Sequence, residues 1–176
     1  MKKPKPLELD GLMNYAAQAL SARAQSLNEM HNRLKRRAVK QEDVAEVLSL
    51  LKQAGMLDDN RFADSFANWR RENQGLGKAR VVRDLMVRRV APAVAKKAVD
   101  QAYAEVDETG LIESFLARKY RGKNLGELLQ EPKNLASAYR KLRLAGFSSG
   151  NSIGALKRYA AEADRLADID DEIEQE

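Results

Sequence analysis

The sequence has no cysteine, one histidine and no apolar run long enough to cross a bilayer. Without cysteine the fold needs no disulfide and thiolate chemistry is excluded, which fits a reducing cytoplasm. The basic N-terminal residues are not followed by an apolar segment, so they do not form a signal peptide. We therefore predict a cytoplasmic protein that has no membrane segment.

Motifs for catalysis are also missing. The sequence contains no H-E-x-x-H, no G-x-S-x-G and no cluster with metal-ligand spacing. His31 adjoins Met30 in a basic helical pattern, which is typical of an ordinary exposed residue, and Asp58-Asp59 is most simply a helix cap. These absences favour a protein that is not an enzyme and that carries no cofactor and no metal.

Charge is distributed unevenly along the 176 residues, whose net charge is +5. Residues 162–176 hold eight acids against one base, which leaves residues 1–161 with 30 basic and 18 acidic residues, a net charge of +12. A strongly basic body favours an anionic partner, either nucleic acid or an acidic protein groove.

Apolar residues recur at helical spacing from Leu12 to Tyr159, and no stretch alternates apolar and polar residues as a strand would. Ser26 and Glu29 form an S-x-x-E capping box, and Gly55 is placed to end a helix. The pattern predicts an all-α protein.

The helical pattern repeats. Leu34 to Val39 aligns with Leu85 to Val90 at an offset of 51 residues, and a more degenerate copy begins near Asp107. Tandem three-helix repeats of this kind are predicted to form an elongated, slightly curved body. We predict a disordered basic lead over residues 1–11, three-helix repeats over 12–57, 58–106 and 107–165, and an acidic tail over 166–176.

The middle repeat carries three aromatic residues and a glycine-rich turn. Phe62, Phe66 and Trp69 share one helical face, so core packing is favoured over base stacking, least clearly for Trp69. The Gly75–Lys78 segment lacks the length and the lysine-hydroxyl ending of a P-loop. It predicts a tight turn with amides that cap the next helix, and phosphate contact there is secondary.

Basic residues in the middle repeat have few interleaved acids, which as a set favours an anion-facing surface over a merely solvated face. Some of the basic helix ends have a structural explanation in the helix dipole. The predicted surface comprises Arg61, Arg70, Arg71, Lys78, Arg80, Arg83, Arg88 and Arg89, with Arg118, Lys119 and Arg121 from the third repeat.

The acidic tail has two interpretations. Its apolar residues are too sparse for a well-packed helix, which indicates a solvated end. Alternatively, the tail folds over the basic body and competes with the anionic partner.

Several motifs in order resemble the RecX family, the bacterial regulators of the RecA recombinase. The central match is Leu57-Asp-Asp-Asn-Arg-Phe-Ala63 with Phe66 and Arg70, followed by Gly75-Leu-Gly77 with Arg80 and Leu85. The Ser26–Glu29 box with Leu34, then Arg118-Lys-Tyr120 and Leu144-Ala-Gly-Phe147, extend the likeness from Leu12 to Tyr159. Ala38 and Arg89 depart from it, because they stand where glycine often ends a helix, and the acidic tail is an addition.

The resemblance implies tandem three-helix repeats and a regulator without enzymatic activity. It implies binding in the groove of the RecA filament on single-stranded DNA, with limits on filament extension, ATP hydrolysis and strand exchange. Such activity restrains homologous recombination, DNA repair and the SOS response. We expect a monomer, and the sign of regulation comes from the family alone.

A second hypothesis is a helical-repeat protein that binds nucleic acid directly through its basic face. Three-helix groups also occur in helix-turn-helix DNA readers, although no helix here offers a clear Asn, Gln and Arg set for base edges. Salt-sensitive DNA binding without RecA would favour it.

Overall fold

The helical periodicity produces ten α-helices in the computed structural model, which describes residues 5–169. No strand is present in this range, where Leu7 and Ala38 form an isolated β-bridge, so the all-α prediction is confirmed. The helices are α1 (Leu9–Ala22), α2 (Leu27–Lys35), α3 (Gln41–Gln53), α4 (Asp59–Trp69), α5 (Lys78–Val87), α6 (Pro92–Ala102), α7 (Glu108–Lys119), α8 (Leu125–Leu128), α9 (Pro132–Leu144) and α10 (Ser149–Lys157), with a π-helical segment at Arg70–Gln74 and a 3₁₀ segment at Ala161–Ile169.

The chain forms two compact units. Among the described residues, the first unit comprises 5–66 together with Asp84–Ala98, and the second comprises Ala67–Arg83 together with 99–169. The division of the chain into three repeats stays a prediction.

Ordered structure begins closer to the N-terminus than the sequence predicted. The Leu7 amide donates to the Arg37 carbonyl, the Val39 amide donates to the Leu7 carbonyl, and α1 begins at Leu9. The expectation of a disordered lead through residue 11 is therefore wrong from Leu7 onward, because these backbone bonds come from residues about thirty positions away, which a local pattern does not reveal. Residues 1–4 of that lead lie outside the described residues.

Helix α2 starts at the predicted capping box. The Ser26 hydroxyl accepts from the Glu29 amide, and the Glu29 carboxylate accepts from the Ser26 amide. Asp58 caps α4 as expected, accepting from the Asn60 and Arg61 amides. Asp59 acts differently, since its carboxylate accepts from the Leu27 amide at 2.7 Å and thereby joins α4 to the start of α2.

The core of the first unit contains the apolar residues that the pattern placed inward. Buried side chains from α1, α2 and α3 pack together, because the inward positions of three amphipathic helices remove their apolar surface from water. They are Leu12, Ala16, Ala19, Met30, Leu34, Val44, Val47, Leu48 and Leu51, joined by Leu57.

The core of the second unit is built around α7, α9 and α10, with Tyr139 and Phe147 as its largest fully buried side chains. Leu76 packs against it from the glycine-rich turn. Leu166, which the sequence had assigned to the tail, is also buried in this core. The tail boundary at 166 is therefore wrong, and the remaining tail residues 170–176 lie outside the described residues.

One aromatic residue of α4 differs from the predicted packing. Trp69 is 51% exposed, whereas Phe62 is buried and Phe66 is half-buried. Trp69 is the last residue of α4 and precedes the π-helical segment, where the helical period changes. The expected core position of Trp69 is therefore wrong.

Candidate nucleic-acid and protein interface

The predicted glycine-rich turn in the second unit is built by close backbone packing. Gly75 ends the π-helical segment in the left-handed conformation, with φ of 57°. The Gly77 amide donates to the Ala145 carbonyl at 2.9 Å, and the Ala79 amide donates to the Gly146 carbonyl at 3.2 Å. These amides at the start of α5 are satisfied internally, so they are not available for the phosphate contact considered from the sequence.

Three of the predicted surface arginines hold this turn in place. Arg71 donates to the Ala102 carbonyl and forms an ion pair with Glu72 at 2.5 Å. Arg70 donates to the Gln74 side chain, and Arg118 donates to the Gln74 carbonyl. These bonds let the three residues position the turn, but a bond to a neutral oxygen leaves the guanidinium charge in place. Arg70 and Arg71 are half-buried, whereas Arg118 is exposed.

Tyr103 and Glu108 fix the segments that adjoin the turn. The Tyr103 hydroxyl donates to the Leu76 carbonyl at 2.6 Å. Burial raises the pKa of Tyr103 to about 12, although the nearby Arg71 charge opposes the increase. Glu108 accepts from the Ser148 amide and hydroxyl.

The charge of Glu108 is maintained by its partners. Burial opposes ionisation, but the hydrogen bonds from Ser148 and Asn151 and the positive charge of Lys78 outweigh it and hold the pKa of Glu108 below its usual range. Glu108 thus anchors the N-terminus of α10, whose dipole also favours a negative charge there.

The remaining predicted cations of the second unit are more accessible. Lys78, Arg83, Lys119 and Arg121 are exposed. Arg80 is half-buried and makes a long hydrogen bond of 3.5 Å to the Leu144 carbonyl. Within the second unit, an anionic partner therefore reaches these exposed cations, and the exposed Arg118, more readily than the half-buried Arg70 and Arg71.

In the first unit, Arg88 is a structural residue. Its guanidinium donates to both carboxylate oxygens of Glu29, at 2.7 and 3.1 Å, and to the Ala24 carbonyl at 3.1 Å. It also lies over the rings of Phe62 and Phe66, at 5.2 and 5.8 Å from their centroids. Arg88 was predicted to belong to the anion-facing surface. Because Glu29 pairs with its guanidinium through two hydrogen bonds and two aromatic rings lie against it, little of its positive charge is available to an external anion.

The other two predicted cations of the first unit are exposed. Arg61 donates to the Gly55 carbonyl, and Arg89 has a φ of 61° in the left-handed region. Arg89 stands where glycine often ends a helix in the RecX family, and its backbone adopts the left-handed conformation that glycine favours. The cations at the end of α2, Arg33, Lys35 and Arg36, were not among the candidates, because the helix dipole explained part of that basic cluster.

Two other properties of the described residues concern membranes and metals. Across residues 5–169, every helix is too short or too polar to span a bilayer. The same range holds no group of three or more His, Asp or Glu side chains arranged to bind a metal ion.

Comparison with known proteins gives a consistent result. The model for the second three-helix domain of RecX matches residues 58–99. The Regulatory protein RecX of Amycolatopsis mediterranei is 29% identical over 155 residues, which cover 85% of each chain. That of Pseudomonas entomophila is 29% identical over 135 residues, covering 76% of this chain and 81% of the relative.

Solved structures show the same fold. The crystal structure of RecX from Lactobacillus salivarius superposes with a TM-score of 0.69 at 14% identity, covering 86% of this chain and 96% of that chain. A second structure, described as regulatory protein RecX, has a TM-score of 0.60 at 18% identity. These similarities support an all-α helical-repeat architecture.

Proposed function

Because this chain belongs to the RecX family, we propose that it is a non-enzymatic negative regulator of the RecA recombinase. In this proposal a monomer binds the groove of the RecA filament on single-stranded DNA in the cytoplasm. It limits filament extension, ATP hydrolysis and strand exchange, and thereby restrains recombination, repair and the SOS response.

The likeness to proteins named Regulatory protein RecX is the observation that carries this proposal, since it extends over 85% of the chain in one relative. The charge agrees with it, because residues 1–161 carry a net charge of +12 and a RecA filament on DNA is a polyanion. We assign the anion-facing role in the second unit to Lys78, Arg83, Lys119 and Arg121, whose side chains are exposed.

The direct test is ATP hydrolysis by RecA on single-stranded DNA, titrated with this protein well below the RecA concentration. Loss of hydrolysis at such ratios supports the proposal, because a few copies then stop filament growth or occupy the groove. Unchanged hydrolysis, together with a shift of bare DNA at the same concentrations, favours the alternative of direct nucleic-acid binding.

A matched pair of variants tests the assigned surface. Lys119→Gln with Arg121→Gln removes two exposed cations of the second unit, and Lys96→Gln with Lys97→Gln removes two exposed cations of α6. We expect the first variant to need a severalfold higher concentration for the same inhibition, and the second to match the unmodified protein. Equal inhibition by the two variants would remove the assignment of this surface without affecting the regulatory role.

A further inference from the structure

A cleft of about 560 Å³ lies in the first unit, and all of its lining residues are polar or charged. Five of them are cations, Arg23, Arg33, Lys35, Arg36 and Arg89, against a single acid, Glu29. Four of the five are arginines, whose planar forks match phosphate oxygens in a bidentate manner. The charge of the cleft therefore calls for an anionic ligand.

The one acid of the cleft is already neutralised. Arg88, which does not line the cleft, donates to both carboxylate oxygens of Glu29, and Arg23 approaches the same carboxylate at 3.5 Å. The Ser26 amide supplies a further hydrogen bond. Because Arg88 balances Glu29, the positive charge of the lining cations is not cancelled within the cleft.

Arg33 is held in a defined orientation. Its Nε donates to the Tyr15 hydroxyl at 3.1 Å and its Nη1 donates to the Gln25 side-chain oxygen at 3.3 Å. Gln25 is only 4% exposed and is fixed in turn, because its Nε2 donates to the Ala19 carbonyl at 2.9 Å. A guanidinium held in this way loses less conformational entropy when it binds an anion.

Arg89 adds an independent observation. It is exposed and occupies the left-handed region at a position that glycine would fill without strain. Strained non-glycine residues tend to persist where the side chain has a function. Binding of an anion in the cleft is such a function for the Arg89 side chain.

We propose that this cleft binds the phosphate backbone of nucleic acid without reading its bases. The lining has no aromatic side chain on which bases could stack, and no apolar side chain of the kind that forms the centre of a protein interface. The cleft thus adds sequence-independent affinity, and this role does not require RecA.

The test measures binding of a fluorescein-labelled oligothymidylate to the full chain by anisotropy, with RecA absent. Lys35→Gln with Arg36→Gln should weaken binding about tenfold and reduce the salt slope by about 0.7 for each lost phosphate contact. The control, Lys96→Gln with Lys97→Gln, removes the same charge from the same unit outside the cleft and should change affinity by less than about twofold. Equal effects of the two variants would overturn the proposal.

A second arm uses a polyglutamate peptide as the probe. Weak binding of this peptide, little affected by the cleft variant, supports the nucleic-acid assignment. Binding as tight as that of the oligonucleotide, with the same loss in the cleft variant, would identify an acidic protein segment as the ligand and overturn the assignment.

Arg89→Gly and Arg89→Ala separate binding from folding. Both remove the charge and should weaken oligonucleotide binding severalfold, whereas only the glycine variant should raise the unfolding midpoint. A more stable protein that binds less tightly excludes unfolding as the cause. Full affinity in the glycine variant would contradict the proposal, and since RecA is absent, that result would not count against regulation of RecA.

Discussion

At the scale of single residues, Glu29 makes several polar contacts within the first unit. It accepts hydrogen bonds from the Ser26 amide and from two atoms of Arg88, and it lies 3.5 Å from Arg23. Burial opposes its charge, but the bonds from Arg88 and Ser26 and the charges of Arg88 and Arg23 outweigh it and lower the pKa of Glu29. One carboxylate therefore completes a helix cap and neutralises an arginine.

Replacing Glu29 with Gln should reduce the free energy of unfolding by about 1–3 kcal/mol at pH 7, because glutamine keeps the capping-box geometry but leaves Arg88 without its counter-charge. Urea unfolding measures the change. Glu46→Gln, an exposed position in α3, serves as the control and should stay within about 0.5 kcal/mol.

The same pair predicts a pH dependence. A carboxyl whose folded pKa is lowered contributes stability above its unfolded pKa and loses it as the pH falls through the folded pKa. The stability gap between the unmodified protein and Glu29→Gln should therefore be constant above the ordinary value of 4.5 and shrink below it. A gap that stays constant down to about pH 3 would contradict the lowered pKa.

Arg89 is the second residue with a specific consequence. Its φ of 61° costs about 1 kcal/mol for a residue with a side chain. Arg89→Gly should therefore raise the free energy of unfolding by about 0.5–1 kcal/mol, less than the full strain because glycine also gains entropy in the unfolded chain. Arg89→Ala keeps the strain and should show no gain, and an equal gain in both variants would exclude strain as the cause.

At the scale of elements, the start of α5 packs backbone to backbone against the turn that follows α9. A Cβ on Gly77 would overlap the Gly146 carbonyl group, and Gly146 itself has a φ of 91°. The contact also carries the hydrogen bonds from the Gly77 and Ala79 amides. These two segments of the second unit therefore depend on glycine at the point of contact.

Gly77→Ala should destabilise the protein by about 3 kcal/mol or more, because the added methyl group forces the two backbones apart and breaks both amide bonds. Gly154→Ala is the matched control, since a Cβ there meets no atom within 4 Å and the residue is exposed in α10. Helix propensity predicts a gain of up to about 1 kcal/mol for that control. Chemical denaturation measures both variants, and similar losses would refute the contact.

The sequence predicted the glycine-rich turn but not its partner. Gly75-Leu76-Gly77 marked a break in the helical pattern, and nothing local indicated that residues 145–147 would fill it. The capping box depends on neighbouring residues, and the structure contains it. Local signals therefore located elements correctly, whereas contacts between distant elements stayed hidden.

At the scale of the whole molecule, an acidic C-terminal segment follows a strongly basic body, and the role of this segment can be tested. Residues 170–176 contain five acids, and the interpretation that they compete with an anionic partner stays a hypothesis. Truncation after Ile169 removes them and retains Leu166, whose side chain belongs to the core of the second unit.

The truncated protein should bind oligothymidylate more tightly than the full chain, with a larger gain at low salt, because screening weakens competition by charge. Anisotropy at two salt concentrations measures the difference. A variant with the tail acids changed to the corresponding amides should behave like the truncation. Unchanged affinity in either variant would rule out competition by the tail.

The sequence by itself determined the helices, their caps and the excess of positive charge, because each of these follows from neighbouring residues or from composition. Only the tertiary structure decided which cations are accessible. Arg88 is half-buried and pairs with Glu29, which lies 59 positions earlier, so its charge is neutralised within the fold. Arg118 also bonds a distant residue, Gln74, but stays exposed. The cleft at the end of α2 emerged for the same reason, since exposure depends on which distant groups satisfy each charge.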